Sequence, residues 1–166
     1  MSTPPSDRTR IEVSRPVDAT PTEVFAVLRD PQGHVAIDAS GMLQDAEGDL
    51  VGAVGDTFTV HMDRESLGDL PMGRYDVEVH VTAYAEDREL AWTIVGTVKP
   101  PIRHVYGYRL EPLDGGSRTR VTSYYDWSDA RPDLVEKGLF PVISETALKG
   151  TLGILDRTVR RGYPRG

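Results

Sequence analysis

Two groups of side chains in this 166-residue chain have residue types suited to acid–base chemistry. His104, Tyr106 and Tyr108 alternate along one predicted strand, so their side chains point to the same face. An imidazole and two phenols that converge on a ligand can act as acid, base or oxyanion donor during enolisation of a β-keto chain. The alternative places His104 at a strand end in solvent and uses both tyrosines for packing.

His34 and Asp38 form a second, weaker catalytic candidate. They lie four residues apart and share one face of a short predicted helix, where they could pair as base and orienter. The alternative interpretation is a capped turn on the surface. A metal ion held by this pair alone would lack enough ligands, and the remaining histidines show no ligand spacing. We therefore predict no metal site.

The composition argues against several classes of protein. The formal net charge is −7, from 19 basic and 26 acidic residues, which disfavours nucleic acid and anionic membranes as main partners. There is no cysteine, no apolar run long enough to span a bilayer and no signal-peptide pattern, so we expect a cytoplasmic protein without integral membrane association. Phosphate-loop, dinucleotide-binding, nucleophile-elbow and zinc-protease motifs are absent from the sequence, and we expect no cofactor.

The longest helical pattern runs from Ser144 to Arg161. Apolar residues recur there every three or four positions, which predicts a long amphipathic helix. Gly150 and Gly153 lie in its middle, where each costs roughly 1 kcal/mol relative to alanine. They indicate either close approach to a neighbouring strand or room for a ligand beside the helix, and the sequence leaves both interpretations open.

The remaining elements follow from capping signals and alternation. A short first strand precedes Thr20 and Glu23, whose spacing predicts a capped helix, and a second short helix is predicted at 33–38. A turn is the alternative to a helix at 33–38. From residue 41 onward, apolar residues alternate through about six strands joined by short turns, which favours an antiparallel sheet. We predict an α+β fold in which residues 1–9 are a flexible tail and residues 10–163 form one domain.

Several stretches resemble a known superfamily, and together they cover nearly the whole chain: Ile11–Val13, Pro21–Phe25, Tyr106–Pro112, Gly115–Gly116 and Val121–Trp127. With this element order, they resemble the START-like superfamily, also called SRPBCC or Bet v 1-like, and within it the polyketide cyclase/dehydrase-like proteins. The resemblance implies a helix-grip fold, in which a curved antiparallel sheet of six to seven strands wraps around a long C-terminal helix. Two short helices lie near the N-terminus. No single catalytic motif defines the superfamily.

The resemblance also implies an internal cavity that binds a small hydrophobic ligand such as a polyketide, lipid or aromatic compound, with or without cyclase/dehydratase chemistry. The alternatives are a non-catalytic carrier or sensor of an apolar ligand and a protein-interaction domain with an incidental cavity. We expect a monomer or homodimer and a pocket of roughly 300–1,000 Å³. The predicted ligand-binding residues are Phe58, Val79, Trp92, Tyr106, Tyr108 and Tyr125 from the sheet, and Leu148, Thr151, Leu152 and Leu155 from the helix.

Overall fold

A computed structural model describes residues 8–63, 73–96 and 99–164. Residues 1–7 of the predicted tail lie outside these ranges. The described elements follow one another as β1 (Arg10–Val17), α1 (Pro21–Leu28), α2 (Pro31–Ile37), β2 (Leu43–Glu47), β3 (Thr57–Asp63), β4 (Arg74–Ala85), β5 (Glu89–Val95), β6 (Val105–Leu113), β7 (Arg118–Asp126), α3 (Pro132–Glu136) and α4 (Glu145–Arg161).

The seven described strands form one antiparallel sheet in the order β1-β7-β6-β5-β4-β3-β2. Strands β2 to β7 pair with their neighbours in sequence, and β1 closes the order by pairing with β7. In this register Tyr106 lies opposite both Trp92 and Tyr125, so the three aromatic side chains share one face of the sheet. The predicted antiparallel sheet is confirmed.

Helix α4 packs its apolar stripe against the inner face of this sheet. The Ser144 hydroxyl caps its first turn by accepting from the Ala147 N–H at 3.1 Å, and Gly162 follows its last residue. The side chains of Leu148, Leu152 and Leu155 on this helix are buried. The predicted long helix and the helix-grip fold are therefore confirmed.

Helices α1 and α2 each begin after a residue whose side chain caps the first turn, Thr20 for α1 and Asp30 for α2. Thr20 and Glu23 form a reciprocal capping box, with both hydrogen bonds at 3.2 Å. The Asp30 carboxylate accepts from the Gln32 N–H at 3.0 Å, and Pro31 occupies the first turn of α2. The second helix therefore begins two residues before its predicted start.

Helix α2 is held closely against both α1 and β2. A Cβ atom at Gly33 would overlap the carbonyl oxygen of Val27 and lie 2.9 Å from its carbonyl carbon. The Gln32 amide donates to the Ala46 carbonyl at 2.6 Å and to the Asp45 carboxylate at 2.9 Å. These contacts fix the helix that presents His34 to the interior.

Candidate functional site

A cavity of about 180 Å³ lies between the inner face of the sheet and α4, with α2 along one side. It is smaller than the predicted range of roughly 300–1,000 Å³. Two of its lining residues, Ala39 and Ser40 in the loop after α2, are exposed to solvent. Most of its lining is apolar: Ile37, Met42, Leu43, Val60, Met62, Val77, Val79, Trp92, Ile94, Ile143, Ala147 and Leu148.

Trp92 is the centre of an aromatic wall in this cavity. Its ring stacks with that of Tyr106 at a centroid distance of 6.1 Å and an interplanar angle of 13°, and it lies 5.7 Å from the ring of Tyr108. The imidazole of His34 meets it edge-on at 4.7 Å. Such a wall offers flat apolar surface and ring edges to an aromatic ligand.

The tyrosines of this wall bring hydroxyl groups to an otherwise apolar lining. Burial raises the pKa of both Tyr106 and Tyr108 well above the usual value, so both phenols stay protonated near neutral pH. Within the described part of the chain, neither hydroxyl has a protein hydrogen-bond partner. Each is therefore able to bond to a molecule in the cavity.

His34 is the imidazole of the cavity lining, and the structure fixes its tautomer. Its Nε2 lies 2.8 Å from the carbonyl oxygen of Leu28, and since a carbonyl only accepts, Nε2 must carry the proton. The ring is buried, with its edge also against Phe58 at 5.1 Å. Burial lowers the pKa of His34 to about 4, so the imidazole is neutral near pH 7.

Asp38 also lines the cavity, but its carboxylate serves the loop that follows α2. It accepts from the Ser40 N–H at 2.9 Å, the Ser40 hydroxyl at 2.7 Å and the Leu43 N–H at 3.1 Å. The predicted hydrogen-bonded base–orienter pair of His34 and Asp38 is not formed. The carbonyl of Leu28 orients the imidazole instead.

His104 is neither on the surface nor in the cavity lining. It is buried with its Nδ1 atom 2.7 Å from the Tyr125 hydroxyl, and its ring packs edge-on against Tyr106 and Phe140. Burial lowers the pKa of His104 to about 4 and raises the pKa of Tyr125. The structure thus does not bring His104 together with Tyr106 and Tyr108 around the cavity, as one sequence interpretation required.

The predicted ligand-binding residues divide into two sets. The first lines the cavity and comprises Val79, Trp92, Tyr106, Tyr108, Leu148 and Thr151. The second is buried in the surrounding core, outside the lining, and comprises Phe58, Tyr125, Leu152 and Leu155. Contact with a ligand stays a prediction for the first set, and the second set packs the walls behind it.

Sequence analysis missed part of the lining. Val60, Met62 and Val77 share the alternation of Phe58 and Val79, so period-two patterning could have identified them. The side contributed by α2 and the following loop carried no such signal. Its place over the cavity depends on the tight contact at Gly33, which is a tertiary feature.

The two glycines inside α4 do not make room for a ligand. A Cβ atom at Gly150 would contact the Cβ of Ala39 at 3.4 Å, and one at Gly153 would reach the Arg15 guanidinium at 4.0 Å. Neither glycine belongs to the cavity lining. Both separations are ordinary van der Waals contacts, so neither glycine is required by a close approach to its neighbour, and Ala39 lies in the loop after α2.

The described ranges contain neither a metal-binding cluster nor a membrane-spanning helix. Among residues 8–63, 73–96 and 99–164, no cluster of three or more histidine, aspartate or glutamate side chains has a geometry that could hold a metal ion. None of the helices in those ranges is long and apolar enough to cross a membrane.

The family of the chain follows from comparison with family models. The model for the family described as polyketide cyclase / dehydrase and lipid transport matches residues 8–160. The chain belongs to this family. The predicted resemblance is thus confirmed. No protein of the curated set matches the chain at a significant level.

Solved structures with the same fold include three of interest. The Zhui aromatase/cyclase from a Streptomyces species is 17% identical, with a TM-score of 0.64 over 92% of this chain and 93% of that one. A Rhodobacter sphaeroides protein is 18% identical, with a TM-score of 0.65 over 93% and 94%. The Aha1 dimer from Colwellia psychrerythraea is 16% identical, with a TM-score of 0.60 over 95% and 100%. At these identities the comparison shows the fold alone.

Proposed function

We propose that this protein binds a small, mostly apolar aromatic molecule in the cavity between its sheet and α4. The observation that carries this proposal is the wall of Trp92, Tyr106 and Tyr108, whose two hydroxyl groups have no protein partner among the described residues. Polar groups withdrawn from bulk water are normally hydrogen-bonded, so these hydroxyls are suited to a ligand or to water.

The size of the cavity favours a compact ligand. An apolar cavity of about 150 Å³ is large enough to bind benzene. The volume of about 180 Å³ therefore suits one aromatic ring, and a second ring can extend toward the exposed lining residues Ala39 and Ser40. A polyketide or lipid with a long chain would have to leave most of its length outside.

Binding without chemistry is the form of this function that the lining supports best. The family description and the fold shared with an aromatase/cyclase make a cyclase/dehydratase reaction the second candidate. However, a histidine with a pKa of about 4 is a weak base, and tyrosines with raised pKa are weak acids near neutral pH. A carrier or sensor role needs neither a base nor an acid.

A cytoplasmic location and a monomeric or homodimeric state remain predictions.

A Thr151→Trp substitution should block the cavity. Thr151 lines the cavity and is half-buried, so an indole at this position can occupy the space otherwise open to a ligand. We expect the affinity for 1-methoxynaphthalene, an apolar aromatic compound, to fall at least about tenfold, which corresponds to about 1.4 kcal/mol. Isothermal titration calorimetry of both proteins measures the change.

The matched control is Thr146→Trp. Thr146 lies on the same helix but is exposed and outside the lining, so this variant should bind the compound as the parent does. Thermal melts of both variants verify that they are folded. Equal binding by folded Thr151→Trp protein and the parent would show that the ligand site lies elsewhere.

A further inference from the structure

The imidazole of His34 brings to the cavity lining a hydrogen-bond acceptor whose identity is set by the protein. Because the proton of His34 is held on Nε2 by the Leu28 carbonyl, Nδ1 carries the free lone pair of the neutral ring. In the described part of the chain no group bonds to Nδ1, and the residue lines the cavity.

We infer that Nδ1 of His34 selects, among small aromatic ligands, those that carry a hydroxyl hydrogen. This inference rests on the proposed function, because it names the chemical class that the same cavity prefers. An acceptor that has lost contact with bulk water favours a ligand that donates to it over an equally shaped ligand that cannot. His34 would thus determine specificity by direct contact with the ligand.

The surroundings of His34 keep it an acceptor. Its ring lies between the edges of Phe58 and Trp92, and these apolar neighbours disfavour the charged imidazolium. A neutral ring with Nε2–H committed to Leu28 has no second proton to donate. A ligand carbonyl or ether oxygen therefore gains nothing at Nδ1, whereas a phenol or alcohol gains a hydrogen bond.

The other polar groups of the lining narrow the ligand class further. Asp38 places a carboxylate in the same lining, so a ligand carboxylate or phosphate would meet a like charge. The hydroxyls of Tyr106 and Tyr108 can each donate to a ligand oxygen. The preferred ligand is therefore a neutral hydroxylated aromatic compound, and a carbonyl on the same ring system would be matched by a tyrosine hydroxyl.

The test compares 1-naphthol with 1-methoxynaphthalene, which keeps the rings and the oxygen but lacks the hydrogen. We expect the parent protein to bind 1-naphthol about tenfold more tightly in isothermal titration calorimetry. In His34→Gln, the amide nitrogen can take the place of Nε2 and donate to the Leu28 carbonyl. The amide oxygen then projects from the position of Cδ2 and not from that of Nδ1, so the acceptor at Nδ1 is lost. This variant should bind both compounds with equal affinity, and its affinity for 1-methoxynaphthalene should stay within about twofold of the parent's.

Each other outcome has a defined meaning. If neither compound binds the parent protein, the proposed function itself fails. If both bind with equal affinity, or if folded His34→Gln keeps the preference for 1-naphthol, the cavity binds ligands but His34 does not select them. Thr146→Trp, at a position that is exposed and outside the lining, is the companion variant, and it should retain the preference because it leaves Nδ1 and the cavity unchanged.

A measurement on the unmodified protein covers the case in which His34→Gln does not fold. In ¹⁵N NMR spectra of the histidine rings, His34 should show the Nε2–H tautomer. Its Nδ1 resonance should shift on addition of 1-naphthol and not on addition of 1-methoxynaphthalene. An Nδ1–H tautomer, or equal shifts with both compounds, would overturn the inference.

Discussion

A Gly33→Ala variant is expected to lose about 3 kcal/mol of unfolding free energy, at the upper end of the usual cost of overpacking. The added methyl group would overlap the carbonyl oxygen of Val27 and lie 2.9 Å from its carbonyl carbon. These are backbone atoms of α1, so relief requires α2 to move as a whole. Since His34 is the next residue, that movement would also displace the polar side of the cavity.

Urea denaturation followed by circular dichroism measures this loss. Gly150→Ala is the matched control, because it makes the same substitution in a helix where the new methyl group meets only the Cβ of Ala39, at 3.4 Å. It should leave stability unchanged or raise it by up to about 1 kcal/mol through helix propensity. Equal midpoints for Gly33→Ala and the parent protein would show that α2 does not rest on α1 as described.

A Leu155→Ala variant is expected to lose about 2–5 kcal/mol of unfolding free energy. Leu155 is fully buried (0% exposed) where α4 meets the sheet, and truncation leaves an unfilled space in a packed core. Because Leu155 lies outside the cavity lining, affinity for 1-methoxynaphthalene should not change at temperatures where the variant is folded. Urea denaturation and calorimetric titration give the two quantities.

Leu139→Ala is the control for this substitution. Leu139 is 46% exposed, so its truncation should change stability by no more than about 0.5 kcal/mol. A loss below about 1 kcal/mol in Leu155→Ala would contradict the described core. A fall in ligand affinity as large as that in Thr151→Trp would instead place Leu155 at the ligand, as the sequence analysis predicted.

The helices and strands were predictable because they depend on local patterns, whereas their helix-grip arrangement was implied by the family resemblance. Alternation marks strands β3 to β7, the capping box at Thr20 and Glu23 marks α1, and the apolar stripe of α4 spans its whole length. Helix α3 (Pro132–Glu136) was not predicted, since a helix of five residues is too short for a periodic pattern.

The site was predictable only in part, because periodicity gives the face of a residue and not its depth. Leu148, Leu152 and Leu155 share one stripe of α4, yet only Leu148 reaches the cavity. Strand parity likewise puts Tyr106 and Tyr125 on one face of the sheet. It does not reveal that the Tyr125 hydroxyl is bonded to His104 in the core, outside the cavity lining. These differences depend on how α4 and the loop before it pack against the sheet, and that packing is a tertiary property.

The two tryptophans of the chain provide a probe and a reference for the binding of an aromatic ligand against Trp92. Trp92 lines the cavity, whereas Trp127, the other tryptophan of the chain, is buried against Tyr125 and Phe140 outside the lining. In a ¹H–¹⁵N NMR titration with 1-methoxynaphthalene, the indole N–H resonance of Trp92 should shift saturably while that of Trp127 stays in place. A shift of Trp127 alone, or a Trp92 shift that rises linearly without saturation, would contradict binding in this cavity.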